Sequence, residues 1–290
     1  MWYLIAIVLL ALAILYSLRT SKLIQKTSSR SNKLDKRFVY NRNNIWTKCY
    51  QKYGISETLK IMPMTYCFPD DSVKFYAEKQ SNKEYIAKEL ESGMRRGVFL
   101  VNKSNIDETL ESNNISQIQE YIPNPLTVKG HKFGMRFFMV VDCERGIFLY
   151  RDGYNVFADK PFNYEGLDRA SKINQSLGGD EFYDQVGLPR LSSEIPGVCP
   201  IALANELGDK LAMIVSACDK PCGYKYEKSA RIYGVDAELL DDKSIRIIEI
   251  NSSPTTRFDI EWKNVITRDV RKCREIGQYS DDKWIKISEN

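Results

Sequence analysis

Hydrophobic and polar positions follow two periods along this chain, and one stretch follows neither. Residues 2–18 read WYLIAIVLLALAILYSL, uncharged and almost wholly apolar. That is close to the ~20 residues a helix needs to span a bilayer. Trp2, Tyr3 and Tyr16 lie near its ends, where amphipathic rings favour the membrane interface. A cleaved signal peptide is the competing reading, but no basic region precedes the apolar run. Beyond it, residues 38–53 have helical spacing and stop at Gly54. Strands are expected at 84–90 and 98–102, joined by a loop at 91–97. Short helices are expected at 73–80 and 105–110. Residues 117–128 read as a strand running into an extended connector, and 132–141 with 146–150 as a strand pair. Residues 171–197 read as irregular, 201–217 as a helix, and 231–240 with 244–251 as a hairpin. Strands and helices in runs, rather than strict alternation, predict an α+β fold with mainly antiparallel sheets. The expected layout is a transmembrane helix over 1–18, a linker over 19–37, a catalytic domain over 38–275 and a tail over 276–290.

Charge sharpens this picture. Between Arg19 and Arg37 there are seven basic residues and one acid, Asp35, while the whole chain carries +4. The basic character therefore sits beside the apolar run, and the remainder is slightly acidic, which argues against a nucleic-acid-binding body. Positive charge just after the helix points the bulk of the chain toward the cytosol and favours anionic headgroups. Sequons at Asn102, Asn114, Asn174 and Asn251 would suit a lumenal domain instead. Asparagine is abundant enough here for chance sequons, and one lies in the candidate site. With a single histidine, His131, a multi-histidine zinc site is excluded, and so is a Ser-His-Asp hydrolase that does not use it. Seven scattered cysteines read as reduced thiols of a cytosolic domain.

The hairpin RIYGVDAELL–DDKS–IRIIEINSSP carries the strongest chemistry. With 241–244 as the turn, Leu240 faces Ile245 and Asp236 falls opposite Glu249. Two directly opposed carboxylates destabilise a sheet unless a cation lies between them. Asn251, two residues on, shares the face of Glu249. Carboxylate and amide oxygens are ligands magnesium accepts. Glu238 falls on the same face as Asp236. In HKFGMRFFMVV, Lys132, Gly134 and Arg136 alternate with Phe133, Met135 and Phe137, giving a basic face and an apolar one. Lys132 and Arg136 could converge on a polyphosphate. Lys88 ends a strand before a loop containing glycine and arginine, and QEYIPNP offers extended backbone for an adenine edge.

Taken in order, IMPMTYCFP, YIAKELESGMRRGVFLV, IQEYIPNPLTVKGHKFGMRFFMVV, IFLYRDGYNVFADKPFN and YGVDAELLDDKSIRIIEINSSP resemble the tubulin-tyrosine-ligase-like family of ATP-grasp enzymes. The resemblance implies an ATP-grasp fold, two mainly antiparallel α+β lobes sandwiching ATP. It implies that Lys88 contacts nucleotide phosphates and that Gln119, Glu120, Tyr121 and Ile122 line the adenine. Lys132 and Arg136 would serve ribose and phosphate, and Asp236, Glu249 and Asn251 would hold Mg2+, with Arg136 and Glu249 as the catalytic pair. The implied reaction is ATP-dependent carboxylate–amine ligation through an acyl phosphate, adding an amino acid to a protein tail such as that of tubulin.

Four departures accompany the resemblance. The family has aspartate at Gly134, proline at Glu89 and arginine near Val156, and its His-Leu-Thr-Asn segment has no clear counterpart around 167–174. These groups mostly serve the acceptor and the incoming amino acid. A catalytically weak, membrane-tethered nucleotide- or partner-binding relative is therefore the alternative.

Overall fold

The computed structural model describes residues 61–89, 97–174, 179–217, 230–258 and 260–288. The expected membrane helix, the basic linker, the helix over 38–53 and most of the loop at 91–97 lie outside these residues. Among the described residues, no helix is long and apolar enough to cross a membrane. The chain divides into two compact units. The described part of one is Thr65–Tyr121, and that of the other is residues 61–64 with those from Ile122 onward.

The first unit contains β1 (Thr65–Cys67), α1 (Ser72–Glu78), β2 (Tyr85–Glu89), β3 (Val98–Val101), α2 (Ile106–Ser112) and β4 (Ile115–Glu120). Its strands form an antiparallel sheet in the order β1-β4-β2-β3. Phe75 of α1 is fully buried, with Tyr66 and Tyr85 edge-on at 5.1 and 5.6 Å. Such aromatic pairs add about 0.5–1.5 kcal/mol beyond simple burial. On α2 the buried Ile106 and Leu110 stand one turn apart, as an amphipathic helix requires.

The second unit contains β5 (Thr127–Val128), β6 (His131–Asp142), β7 (Gly146–Tyr150), β8 (Tyr154–Phe157), α3 (Arg169–Lys172), α4 (Gly179–Val186), a 3-10 turn (Ser192–Glu194), α5 (Pro200–Ala217), β9 (Arg231–Leu239), β10 (Ile245–Asn251), α6 (Glu261–Ile276) and β11 (Trp284–Ser288). Its sheet runs β10-β9-β6-β7-β11, with β5 and β8 also paired to β6. Among the described residues every strand pairing is antiparallel, which fits the expected α+β fold with mainly antiparallel sheets.

Strand β6 decides where the site sits. Phe133, Met135, Phe137, Met139 and Val141 share a core with Leu203, Leu207, Leu211 and Ile214 of α5. Phe138 and Val140 join a second core with Ile266 and Val270 of α6 and with Trp284. The C-terminal half of β6 is thus covered on both faces and reads as a continuous apolar run. In the N-terminal half, Gly134 and Arg136 are only half-buried between apolar neighbours that are wholly inside.

Three expectations are corrected. The described part of the expected tail over 276–290 is not a tail, because β11 pairs with β7. Gly277, at φ 64°, closes α6, Tyr279 stacks on Phe148 at 4.0 Å and Trp284 is 2% exposed. These two rings anchor the segment, and Ile285 and Ile287 of β11 pack against the first core. Residues 171–197 are not wholly irregular, since they include α4 and the 3-10 turn, with Tyr183 buried against Phe157 and Trp262. The cysteines are not all reduced, since Cys143 is disulfide-bonded, whereas Cys67, Cys199 and Cys273 are thiols.

Candidate functional site

Three strands bring one charged row together. Arg136 of β6 lies directly opposite Asp236 of β9, and Asp236 lies directly opposite Glu249 of β10. The expected Asp236–Glu249 pairing is present, but it arises in another way. The turn sets Ile245 opposite Leu239 rather than Leu240, and Ile247 opposite Ala237. Carried on without interruption, that register would send Glu249 to the core face alongside Ile245 and Ile247. A bulge between Ile247 and Glu249 inserts Ile248 and reverses the alternation. Ile250 then turns inward, 2% exposed, while Glu249 and Asn251 share the polar face with Asp236.

The row is tied by hydrogen bonds. Arg136 Nη2 donates to Asp236 Oδ2 at 2.6 Å and its Nε donates to Oδ1, a bidentate pair. Asn251 Nδ2 donates to Asp236 Oδ2 at 3.0 Å and to Glu249 Oε1 at 2.9 Å. The two carboxylates therefore converge on one point. Gly234 keeps the path of Arg136 open, because a Cβ there would meet Arg136 Nη1 at 3.0 Å and Pro254 Cβ at 2.9 Å. Burial pushes the Asp236 carboxyl up and outweighs the pull of Arg136, with Glu249 adding to the rise. The Asp236 side chain still keeps a 26% exposed edge through which a ligand could reach it. Burial works against the Arg136 cation, but Asp236 more than offsets this and raises its pKa.

A second pair lies on the same strands. Lys132 bonds Glu238, and their side chains are only 6% and 4% exposed. Lys132 Nζ also donates to the carbonyl of Lys172 at 3.0 Å, fastening α3 to β6. In this structure both β6 cations expected on ribose and phosphate are engaged by carboxylates of β9.

In the other unit, Lys88 lies between Val98 on β3 and Gln117 on β4. Gln119 is buried and its Nε2 donates to Thr65 Oγ1 at 2.9 Å. Glu120 pairs with Lys83 at 2.8 Å, and the Tyr121 N–H donates to the Glu84 carbonyl at 3.0 Å. Ile122, 8% exposed, belongs to the second unit.

The donor set suits a divalent cation. Asp236 and Glu249 already point at one Asn251 amide, and rotating that amide would present a third oxygen to a hard cation. Among the described residues no group of three or more His, Cys, Asp or Glu is placed to hold a metal, so the set depends on the asparagine. Sequence reading left the partner of Lys132 open and missed Gly234 and Asn174. The amide of Asn174 lies against Gly134. For Asn174, the small residue in the middle of the basic face was the available signal.

Residues 22–174 match the model of the tubulin-tyrosine ligase family. Among curated proteins, the chain is 23% identical to "Tubulin polyglutamylase ttll-4" of Caenorhabditis briggsae over 74% of this chain and 40% of that protein. It is 22% identical to "Probable alpha-tubulin polyglutamylase Ttll1" of Tetrahymena thermophila over 77% of this chain and 62% of that protein. It is 29% identical to "Tubulin polyglutamylase TTLL6" of Mus musculus over 40% of this chain and 14% of that protein. The chain thus spans less than two thirds of each of these relatives.

Proposed function

Because the chain belongs to the tubulin-tyrosine ligase family, we propose that it is an ATP- and Mg2+-dependent ligase that joins an amino acid to a protein-tail carboxylate through an amide. The observation that carries this reading is the cross-strand row of Arg136, Asp236 and Glu249 bridged by Asn251. In the proposed reaction an acceptor carboxylate oxygen takes the γ-phosphoryl group of ATP and ADP leaves. The amine then attacks the acyl carbon, inorganic phosphate departs and the nitrogen loses a proton. A bound Mg2+ would neutralise charge on the transferring phosphoryl group. Asp236, Glu249 and Asn251 would hold it. Arg136 would supply a fixed cation beside the same oxygens, worth most where water is excluded. Lys88 and the Gln119–Ile122 backbone are carried over from the resemblance as nucleotide contacts. The names of the relatives support glutamate as the amine and a tubulin-like tail as the acceptor.

The test is ADP release by the full chain with Mg2+-ATP, L-glutamate and a glutamate-rich peptide. Release should require both substrates and fall at least about tenfold in Glu249→Gln. ATP binding without turnover would sink the ligase reading. That outcome would favour a catalytically weak binding protein, a reading supported by the engagement of Lys132 and Arg136 with carboxylates.

The apolar run at 2–18 is proposed as a membrane anchor, with the basic linker holding the remainder in the cytosol. The Cys143 disulfide favours the opposite side, since such bonds persist in oxidising compartments. Protease added outside sealed microsomes should digest the main body of the chain, whereas full protection would reverse the orientation.

A further inference from the structure

Gly134 is central to the polar half of β6, between Lys132 and Arg136, and its open side is occupied. A Cβ built on Gly134 would lie 2.6 Å from Asn174 Nδ2 and 3.6 Å from Asn174 Cγ. No side chain at 134 can coexist with that amide unless one of them moves. Asn174 follows α3 by one residue, and α3 is held firmly. Asp168 caps it by accepting from the Ala170 N–H at 3.1 Å, the Ile173 N–H closes on Arg169 at 2.9 Å, and Lys132 holds the Lys172 carbonyl. The amide is thus delivered to the strand by a fastened segment.

The other end of that amide is unmet. Asn174 Oδ1 is buried and has no hydrogen-bond partner among the described residues. Leaving a buried acceptor unsatisfied costs about 1–3 kcal/mol, so such an atom in a native protein calls for an explanation, and a ligand is one. The family resemblance puts an aspartate, an acceptor, at position 134. This chain has no side chain at that point of the strand, and an amide from the neighbouring segment fills the space with its Nδ2, carrying its own acceptor, Oδ1, on the far side.

Resting on the ligase reading above, we propose that Gly134 and Asn174 act as one device, with Asn174 Oδ1 the specificity-determining acceptor for an N–H or O–H donor on a substrate. On ATP, the sugar hydroxyls are donors of this kind. The incoming amine is the other source.

The experiment uses the full chain and four variants: Asn174→Ala, Asn174→Asp, Gly134→Ala and the Gly134→Ala/Asn174→Ala double. Calorimetric titration with Mg2+-ATP, 2′-deoxy-ATP and 3′-deoxy-ATP reads the nucleotide. ADP release against L-glutamate concentration reads the amine. Asn174→Ala should weaken one ligand about five- to tenfold. Asn174→Asp, which keeps the acceptor, should stay within about twofold of wild type. Gly134→Ala should match Asn174→Ala by displacing the amide, and the double variant should be no worse than either, because coupled sites are not additive. If the donor is a sugar hydroxyl, the loss appears in the ATP Kd and vanishes with the matching deoxy nucleotide. If it is the amine, the ATP Kd holds and the KM for glutamate rises. The melting temperature of Asn174→Ala should equal or exceed that of wild type, since an unmet acceptor is removed. A purely structural asparagine would instead lower it and leave both ligand constants unchanged, which would overturn the proposal. Additive losses at 134 and 174 would overturn it too. A wild-type chain that binds ATP without turnover sinks the ligase reading alone, and an unchanged ATP Kd in Asn174→Ala then overturns this one. Absence of ATP binding by wild type overturns both.

Discussion

Replacing Glu238 with alanine should cost this protein more stability than any single change at its exposed ion pairs. Lys132 and Glu238 form a salt bridge in which both side chains are nearly excluded from water, 6% and 4% exposed. Without Glu238 the Lys132 ammonium keeps the Lys172 carbonyl but loses its countercharge. Breaking a buried pair from one side costs about 3–5 kcal/mol, because it leaves an uncompensated charge inside. Domains have only ~5–15 kcal/mol in total. With a urea dependence of ~2 kcal/mol per molar, the unfolding midpoint should fall by about 1.5–2.5 M. Replacing both partners, Lys132→Met with Glu238→Leu, should recover most of that loss or exceed wild type by ~1–4 kcal/mol, since two desolvated charges disappear together. Urea titration of the purified chain measures both. A Glu238→Ala cost below ~1 kcal/mol would refute the reasoning, because that is how a solvated surface pair behaves. ATP titration of the double variant asks a separate question. Retained affinity makes Lys132 half of an ion pair and nothing more. Lost affinity supports the phosphate role carried over from the family resemblance.

Trp284→Ala should lower stability by about 3–5 kcal/mol, read as a fall in melting temperature, because the ring is 2% exposed and packs edge-on to Tyr150 and Tyr279; an unchanged melt would mean β11 is a dispensable tail after all. Asp142→Asn should cost about 2 kcal/mol at neutral pH. Burial raises the Asp142 carboxyl, but the Glu144 N–H, the Tyr279 hydroxyl and Arg145 hold it below its ordinary 3.8. A depressed native pKa contributes stability above the unfolded value that is lost as pH falls through the native one. The gap between wild type and Asp142→Asn should therefore close below pH 3.8, and a gap that persists in acid would contradict this.

The sequence showed local alternation well and long-range partners poorly. Phe133, Met135 and Phe137 were readable as a core face because the strand period is two, and they are 0–2% exposed. The hairpin of β9 and β10 was readable because its turn is short. Its bulge was missed although the sequence marks it, since the inward isoleucines at Ile245 and Ile247 are followed by Ile250, which strict alternation would turn outward. Trp284, Tyr279, Ile285 and Ile287 were lost among the charged residues around them, where a few apolar side chains carry the burial that composition averages away. The bonds from Lys132 to Glu238 and to the carbonyl of Lys172 link residues far apart in the chain. No periodicity encodes such pairs. Only the strand order does.

The same limit explains the one real difference at the site. Opposed carboxylates at 236 and 249 demand a cation, and from sequence alone magnesium was the natural supplier. The structure supplies an arginine, because β6 lies beside β9 with Arg136 in the same row as Asp236. The two answers compete for the same atoms. Asp236 Oδ2 already accepts from Arg136 and from Asn251, so a metal bound there must displace at least one of these donors. The donor set and the charge balance are compatible with either occupant, but not with both at full strength. Rotation of the Asn251 amide vacates one place, and a divalent cation that also displaces Arg136 frees the guanidinium that the family resemblance assigns to phosphate, so in that case metal binding and phosphate contact by Arg136 rise together.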